Sequence, residues 1–287
     1  MTDEVIIVNK EDFDKKVLSM SRAGSGSLQI ISDFDKTLTK SVNIKGDKVP
    51  SIISWLRRGK YLIDNYSDKA EALFSKYHPY ELSTDISDKE KSSMMHEWWE
   101  THFRLLADCG LDTFTIRKAT QEMVDKGELL LRDGAEEFFV RLWKAKVPLV
   151  IISASIGDII KEYLKIKSFH FDNVHIIANM LKYDNNGKFL GVIEPIIHSM
   201  NKKEIEIKNH SEYKNLSGKN NIILLGDGLG DLGMSEGLHY DNIIRVAFYN
   251  DGESDSLDLY KKSFDVIIKG EASLEYVNDL IEKIENN

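Results

Sequence analysis

Leu28-Gln29-Ile30-Ile31-Ser32-Asp33-Phe34-Asp35-Lys36-Thr37 is a short apolar run that breaks into two carboxylates two residues apart. A run without polar alternation reads as a strand covered on both faces, as in a parallel sheet. Carboxylates this close repel unless a cation or a proton lies between them. At the mouth of a buried strand the pair points to chemistry, either nucleophilic attack by a carboxylate or a Mg2+ site. The bland reading is two aspartates capping a turn.

Working outward, Val- and Ile-rich runs recur at 147–152, 174–178, 221–225, 243–248 and 264–268, with helix-like segments between most of them, such as 134–146 and 156–167. This alternation predicts an α/β fold, a three-layer, doubly wound parallel sheet. Residues 42–126 carry helical periodicity and no convincing strand, and they are too long for a loop. The division expected is a core of 1–41 plus 127–287 with an inserted helical cap of 42–126. A hairpin is expected over 181–193, turning at Asp184-Asn185-Asn186-Gly187.

Bulk numbers narrow the function classes. The chain has 287 residues and a formal charge of -9, which argues against a nucleic-acid or acidic-membrane binder. A small anionic substrate stays open, because a bound cation inverts the local field. The single cysteine, Cys109, leaves no internal disulfide and fits a reducing compartment. No apolar stretch reaches the roughly 18 residues of a membrane span, and Met1-Thr2-Asp3-Glu4 lacks signal-peptide character. A cytoplasmic monomer is expected.

Asp33, Ser153 and Asp227 each fall just past a predicted strand, where such sheets bind ligands. Asp33 can attack phosphorus, and Asp35 can give and take a proton. Thr37 can hold the loop through its hydroxyl. Ser153-Ala154-Ser155 precedes a helix start and suits an anionic oxygen, although Ser155 with Asp158 also reads as a helix cap. Lys202 can neutralise phosphate, but alone it reads as a surface lysine. Gly226-Asp227-Gly228-Leu229-Gly230-Asp231 can hold a hard cation, its glycines permitting close backbone approach, or can be an ordinary turn into a helix.

Taken in order, these four elements resemble the motifs of the haloacid-dehalogenase superfamily of phosphatases. With Glu97-Trp98-Trp99 and Ile152-Ser153-Ala154-Ser155-Ile156-Gly157-Asp158, the chain is similar to cytosolic 5'-nucleotidase III, the pyrimidine 5'-nucleotidase group. The resemblance implies Asp33 as nucleophile and Asp35 as acid/base. It implies Mg2+ held by Asp33, the Asp35 carbonyl and Asp227. Ser153, Ala154 and Lys202 would bind phosphate, and Asp231 would support the metal or the lysine. Glu97 would read base or sugar from the cap, with Trp98 or Trp99 stacking on the base. Where the family carries a serine on the return from the cap, this chain has Gly127.

The expected reaction is hydrolysis of a nucleoside 5'-monophosphate, either a pyrimidine nucleotide such as CMP or UMP or N7-methylguanosine monophosphate. Transfer to a nucleoside is a side reaction of the same intermediate. The rivals are a phosphatase for another small phosphomonoester and a non-enzymatic phosphoaspartate switch. Asp35 argues against the switch, which gains nothing from faster dephosphorylation.

Overall fold

The computed structural model describes residues 4–49, 51–63, 65–83, 85–202, 218–250 and 256–286. One sheet organises them. Its seven strands are β1 (Glu4–Ile7), β2 (Leu28–Ser32), β3 (Leu149–Ile156), β4 (Val174–Asn179), β7 (Asn221–Gly226), β8 (Asn242–Tyr249) and β9 (Val266–Lys269), in the spatial order β1-β9-β8-β7-β2-β3-β4. All pairs are parallel except β1 with β9. β5 (Leu181–Tyr183) and β6 (Phe189–Val192) form the hairpin.

Both faces of the central strands are buried, which is why these runs show no polar alternation. Ile30, Ile151, Ile223 and Leu225 face one apolar cluster, and Ile31, Val150, Ile152, Ile222 and Leu224 face the other. The first cluster is covered by α1 (Lys10–Ala23), α6 (Ala135–Lys144), α7 (Gly157–Ile166) and α9 (Glu275–Glu285), through residues such as Met20, Phe138, Ile160 and Ile281. The second is closed by Ile197 and by Met234 of the 3-10 turn Leu229–Ser235. A further short helix, α8 (Leu257–Ser263), buries Tyr260 near β8.

Among the described residues, four helices precede α6 in the chain between β2 and β3: α2 (Ile53–Arg58), α3 (Tyr66–Leu82), α4 (Asp88–Asp108) and α5 (Thr113–Asp125). Two of them start on side-chain caps. Ser87 accepts from the Glu90 N–H and Asp112 from the Thr115 N–H, each satisfying a donor the helix leaves open. Their apolar faces meet through Leu56, Tyr66, Ala70, Phe103 and Leu106, in the same cluster as the sheet's first face.

Two local readings are corrected. Ser155 and Asp158 form no capping box, because β3 continues to Ile156 and α7 has no side-chain cap. Asp158 instead accepts from the Leu181 N–H at 2.8 Å, tying α7 to the hairpin. The edge strand β1, absent from the sequence reading, is only four residues long.

Candidate active site

Strand order brings the acids together. β2 lies between β7 and β3, with Ser32 in register with Leu225 and Ile151. Asp227, Asp33 and Ser153 therefore emerge side by side at the carboxyl edge. The strand order reverses at β2, and this switch point is where open α/β sheets take ligands. Ser153–Ser155 lie where the pairing of β3 with β4 shifts register after Ile152, which frees the backbone there from the regular ladder.

Asp33 is buried, and its N–H donates to the Leu225 carbonyl at 3.0 Å. Lys202 donates from Nζ to Asp33 Oδ1 at 2.5 Å and to Asp231 Oδ1 at 2.8 Å. The other Asp231 oxygen accepts from the Asp227 and Gly228 N–H groups, both at 3.0 Å. Gly226 makes this possible, since a Cβ there would lie 2.6 Å from the Asp231 Cβ. Gly228 and Gly230 meet no such crowding, so close approach requires the first of the three glycines. The Tyr260 hydroxyl donates to the Asp227 carbonyl at 2.6 Å.

Oxygens of Asp33, Asp227 and Asp231 lie within 4.8 Å of one another. Burial pushes the Asp33 carboxyl up to about 7; Asp231 and Asp35 add to the shift and Lys202 opposes it. Burial works against the Lys202 ammonium, but Asp231 and Asp33 outweigh it and raise its pKa. One ammonium among these carboxylates leaves Asp33 short of positive charge. All-oxygen donors with such a deficit fit a hard divalent cation. Asp35 accepts from the Ile52 N–H at 3.3 Å, and burial raises its carboxyl to about 6.

The loop is not held by Thr37 as expected. Among the described residues the buried Thr37 hydroxyl has no partner. Thr39 does that work: its hydroxyl accepts from the Lys36 N–H at 2.8 Å and donates to the Phe34 carbonyl at 3.3 Å. The sequence reading also missed Arg132, which is fully buried. It donates to the carbonyls of Lys36, Thr37 and Ala272 at 2.6, 2.9 and 2.7 Å and to Asn250 Oδ1 at 2.7 Å. Its guanidinium lies 4.2 Å over the Phe248 ring. Lys36 holds φ 59, a conformation a side chain adopts at some strain, and this clamp secures it.

Above the acids lies a cleft of about 420 Å3, lined by Asp33, Asp35, Ser153, Ala154, Lys202 and Asp227 below and by residues of α2, α3 and α4 above. Ser153 Oγ accepts from the Ser155 N–H at 3.1 Å, while the buried Ser155 hydroxyl, also in the cleft, has no partner among the described residues. Trp98 and Trp99 both line the cleft; Trp98 also stacks on Tyr77, and Trp99 on His102 and Phe103.

Glu97 is not brought to this cleft. Its side chain is 51% exposed, accepts from the Tyr77 hydroxyl at 2.5 Å, and faces an adjoining groove with His96 and His198. On a helix, neighbouring residues point about 100° apart, so Trp98 faces inward while Glu97 does not. The carboxylate that α3 brings to the cleft is Glu81, at its end, which accepts from Ser199 Oγ at 2.6 Å and sits 3.2 Å from His78 Nδ1. No spacing in the sequence singled it out. Gly127 lies outside the lining. It follows α5 with φ 62 and packs under Ile44, so backbone conformation accounts for the glycine.

The sheet and its acids define a class, the phosphatases of the haloacid-dehalogenase fold. A phosphoserine phosphatase structure shares the fold, with a TM-score of 0.52 and 18% identity over 88% of this chain and 98% of that one. The model of the pyrimidine 5'-nucleotidase (UMPH-1) family matches residues 36–285, and the chain belongs to that family. It is 33% identical to the human 7-methylguanosine phosphate-specific 5'-nucleotidase, over 93% of this chain and 87% of that protein. A crystal structure of cytosolic 5'-nucleotidase IIIB bound to cytidine superposes with a TM-score of 0.87 at 25% identity, covering 98% of this chain and 93% of the other.

Proposed function

We propose that the protein is a Mg2+-dependent 5'-nucleotidase that hydrolyses nucleoside 5'-monophosphates, pyrimidine nucleotides or N7-methylguanosine monophosphate, through a phosphoaspartate. The observation that carries this reading is the convergence of Asp33, Asp35, Ser153, Lys202 and Asp227 on one cleft roofed by aromatic side chains. An aromatic roof over the same cleft suits a flat base better than a phosphoamino acid or sugar phosphate.

Asp33 attacks phosphorus in line and forms the acyl phosphate, while Asp35 gives its proton to the departing 5'-oxygen. A carboxyl raised to about 6 still holds a proton on a useful fraction of molecules near neutrality. Asp35 then takes a proton from the water that attacks the phosphoaspartate, releasing phosphate and restoring Asp33. Lys202, Ser153 and the backbone near Ala154 balance charge on the phosphoryl oxygens. Mg2+, with Asp33, the Asp35 carbonyl and Asp227 as its ligands, would supply charge neutralisation at the phosphate. Residues 42–126 act as a cap that excludes water. The reaction needs no membrane or nucleic-acid partner, and a cytoplasmic monomer suffices for it.

Phosphate release from CMP, UMP, N7-methyl-GMP, AMP and phosphoserine, with Mg2+ and with EDTA, tests the reading. Nucleotide turnover that EDTA and Asp33→Asn both abolish is the expected result. Phosphoserine turnover above all the nucleotides would overturn it.

A further inference from the structure

Tyr260 is a buried group that the reaction described above leaves unused. It lies on α8, between β8 and β9, and is fully buried. Its ring stacks on Phe264, with centroids 5.3 Å apart, and meets Tyr249 edge-on at 4.8 Å. Leu229 and Leu232 of the 3-10 turn pack against the same apolar cluster. The ring thus backs the turn that follows Asp227 and carries Asp231, while its hydroxyl donates to the Asp227 carbonyl at 2.6 Å.

The peptide between Asp227 and Gly228 is therefore held at both ends. The Tyr260 hydroxyl donates to its oxygen, and its N–H donates to Asp231 Oδ2 at 3.0 Å. The preceding peptide is tied as well, because the Asp227 N–H donates to the same Asp231 oxygen at 3.0 Å. Peptides are planar, so fixing the two that flank Asp227 fixes its backbone dihedrals and the direction in which its side chain leaves the chain. Asp227 lines the cleft, and its carboxylate lies with those of Asp33 and Asp231. The two holds differ in kind. Asp231 also accepts from Lys202, so its hold belongs to a charged network that an arriving cation or phosphate disturbs. The Tyr260 hydroxyl carries no charge and is anchored in an apolar cluster.

We propose that Tyr260 is a positioning residue for the divalent cation: its hydroxyl presets the Asp227 turn, so that the carboxylate is aimed before the metal arrives. This role rests on the nucleotidase reading above, in which Asp227 is a ligand of Mg2+. Groups that orient a metal ligand from behind are worth roughly 10- to 100-fold in metal affinity, because a ligand without them must be ordered as the ion binds.

Tyr260→Phe removes the hydroxyl and keeps the ring, and with it the packing on Phe264 and Tyr249. Calorimetric titration of the substrate-free protein with Mg2+ should show binding weakened at least about tenfold. Nucleotide turnover by the variant should recover as Mg2+ is raised. An unchanged Mg2+ affinity, with only the melting temperature in EDTA lowered, would assign Tyr260 to packing and overturn the proposal. A turnover deficit that excess Mg2+ leaves untouched would overturn it too.

One measurement needs no variant to fold. In EDTA, the Asp227 and Gly228 amides of the unsubstituted protein should already resist hydrogen exchange. Protection that arises only with Mg2+ overturns the proposal, because the ion and not Tyr260 would then set the turn. Nucleotide turnover indifferent to EDTA would instead overturn the metal-dependent reading on which the role rests.

Discussion

At the scale of single residues, the nucleophile loop depends on a side chain that performs no chemistry. Arg132 fastens the carbonyls of Lys36 and Thr37 to Asn250 and Ala272. Lysine in its place carries the charge but cannot fork across four acceptors. Arg132→Lys should lose about 3 kcal/mol of unfolding free energy and lower kcat by roughly a hundredfold, since misplacing a reacting group by an ångström costs that much. Urea unfolding together with steady-state rates checks this; a variant with kcat intact would show that the loop holds its shape unaided. Nothing in the sequence could flag Arg132, because its acceptors are three backbone carbonyls and one amide oxygen, up to 140 residues away.

Among elements, the central strands were the most legible part of the chain. Leu28–Ser32 and Asn221–Gly226 sit where their apolar runs place them, because burial on both faces leaves a continuous signature. β1, a four-residue edge strand, writes too little pattern to be read. Asp33, Asp35, Ser153, Lys202 and Asp227 were found through their order and strand-end placement, and all five meet in the cleft. Glu81 escaped because a helix face toward a cleft and a helix face toward solvent look alike in sequence.

The hairpin was read from Asp184-Asn185-Asn186-Gly187, and its physics is visible. Asp184 Oδ1 accepts from the Asn186 and Lys188 N–H groups, each at 2.8 Å. Gly187 holds φ 80, and a Cβ there would meet Thr113 Oγ1 at 2.5 Å. Because the Gly187 carbonyl accepts from the Thr113 N–H, the hairpin also steadies the start of α5. Gly187→Val should cost about 2 kcal/mol. Thermal unfolding measures this, and an unaltered midpoint would mean that the turn relaxes freely.

For the whole molecule, buried histidines make stability depend on pH. Burial, with Arg57 adding, lowers His102 to about 4, and burial with His96 lowers His198 similarly. A depressed histidine leaves the unfolded chain binding more protons than the folded one. Stability is then complete above the ordinary value of 6.5 and drains away as pH falls toward 4. His102 alone accounts for up to about 3 kcal/mol across that window. Denaturant unfolding at neutral pH and near the lower end, on the chain and on His102→Gln, should show the steeper acid loss in the unsubstituted protein; parallel losses would assign the effect elsewhere.

Ser199, three positions before Lys202, grips Glu81 of α3, and His198 stands against His96 of α4. The short stretch that delivers the ammonium is thus leashed to two of the helices that roof the cleft. Whatever seats itself against Glu81 tugs on that leash, so the two extremities of a bound molecule would sense one another across a gap neither spans. A phosphate ester trimmed of its ring would then react sluggishly even when it saturates the protein.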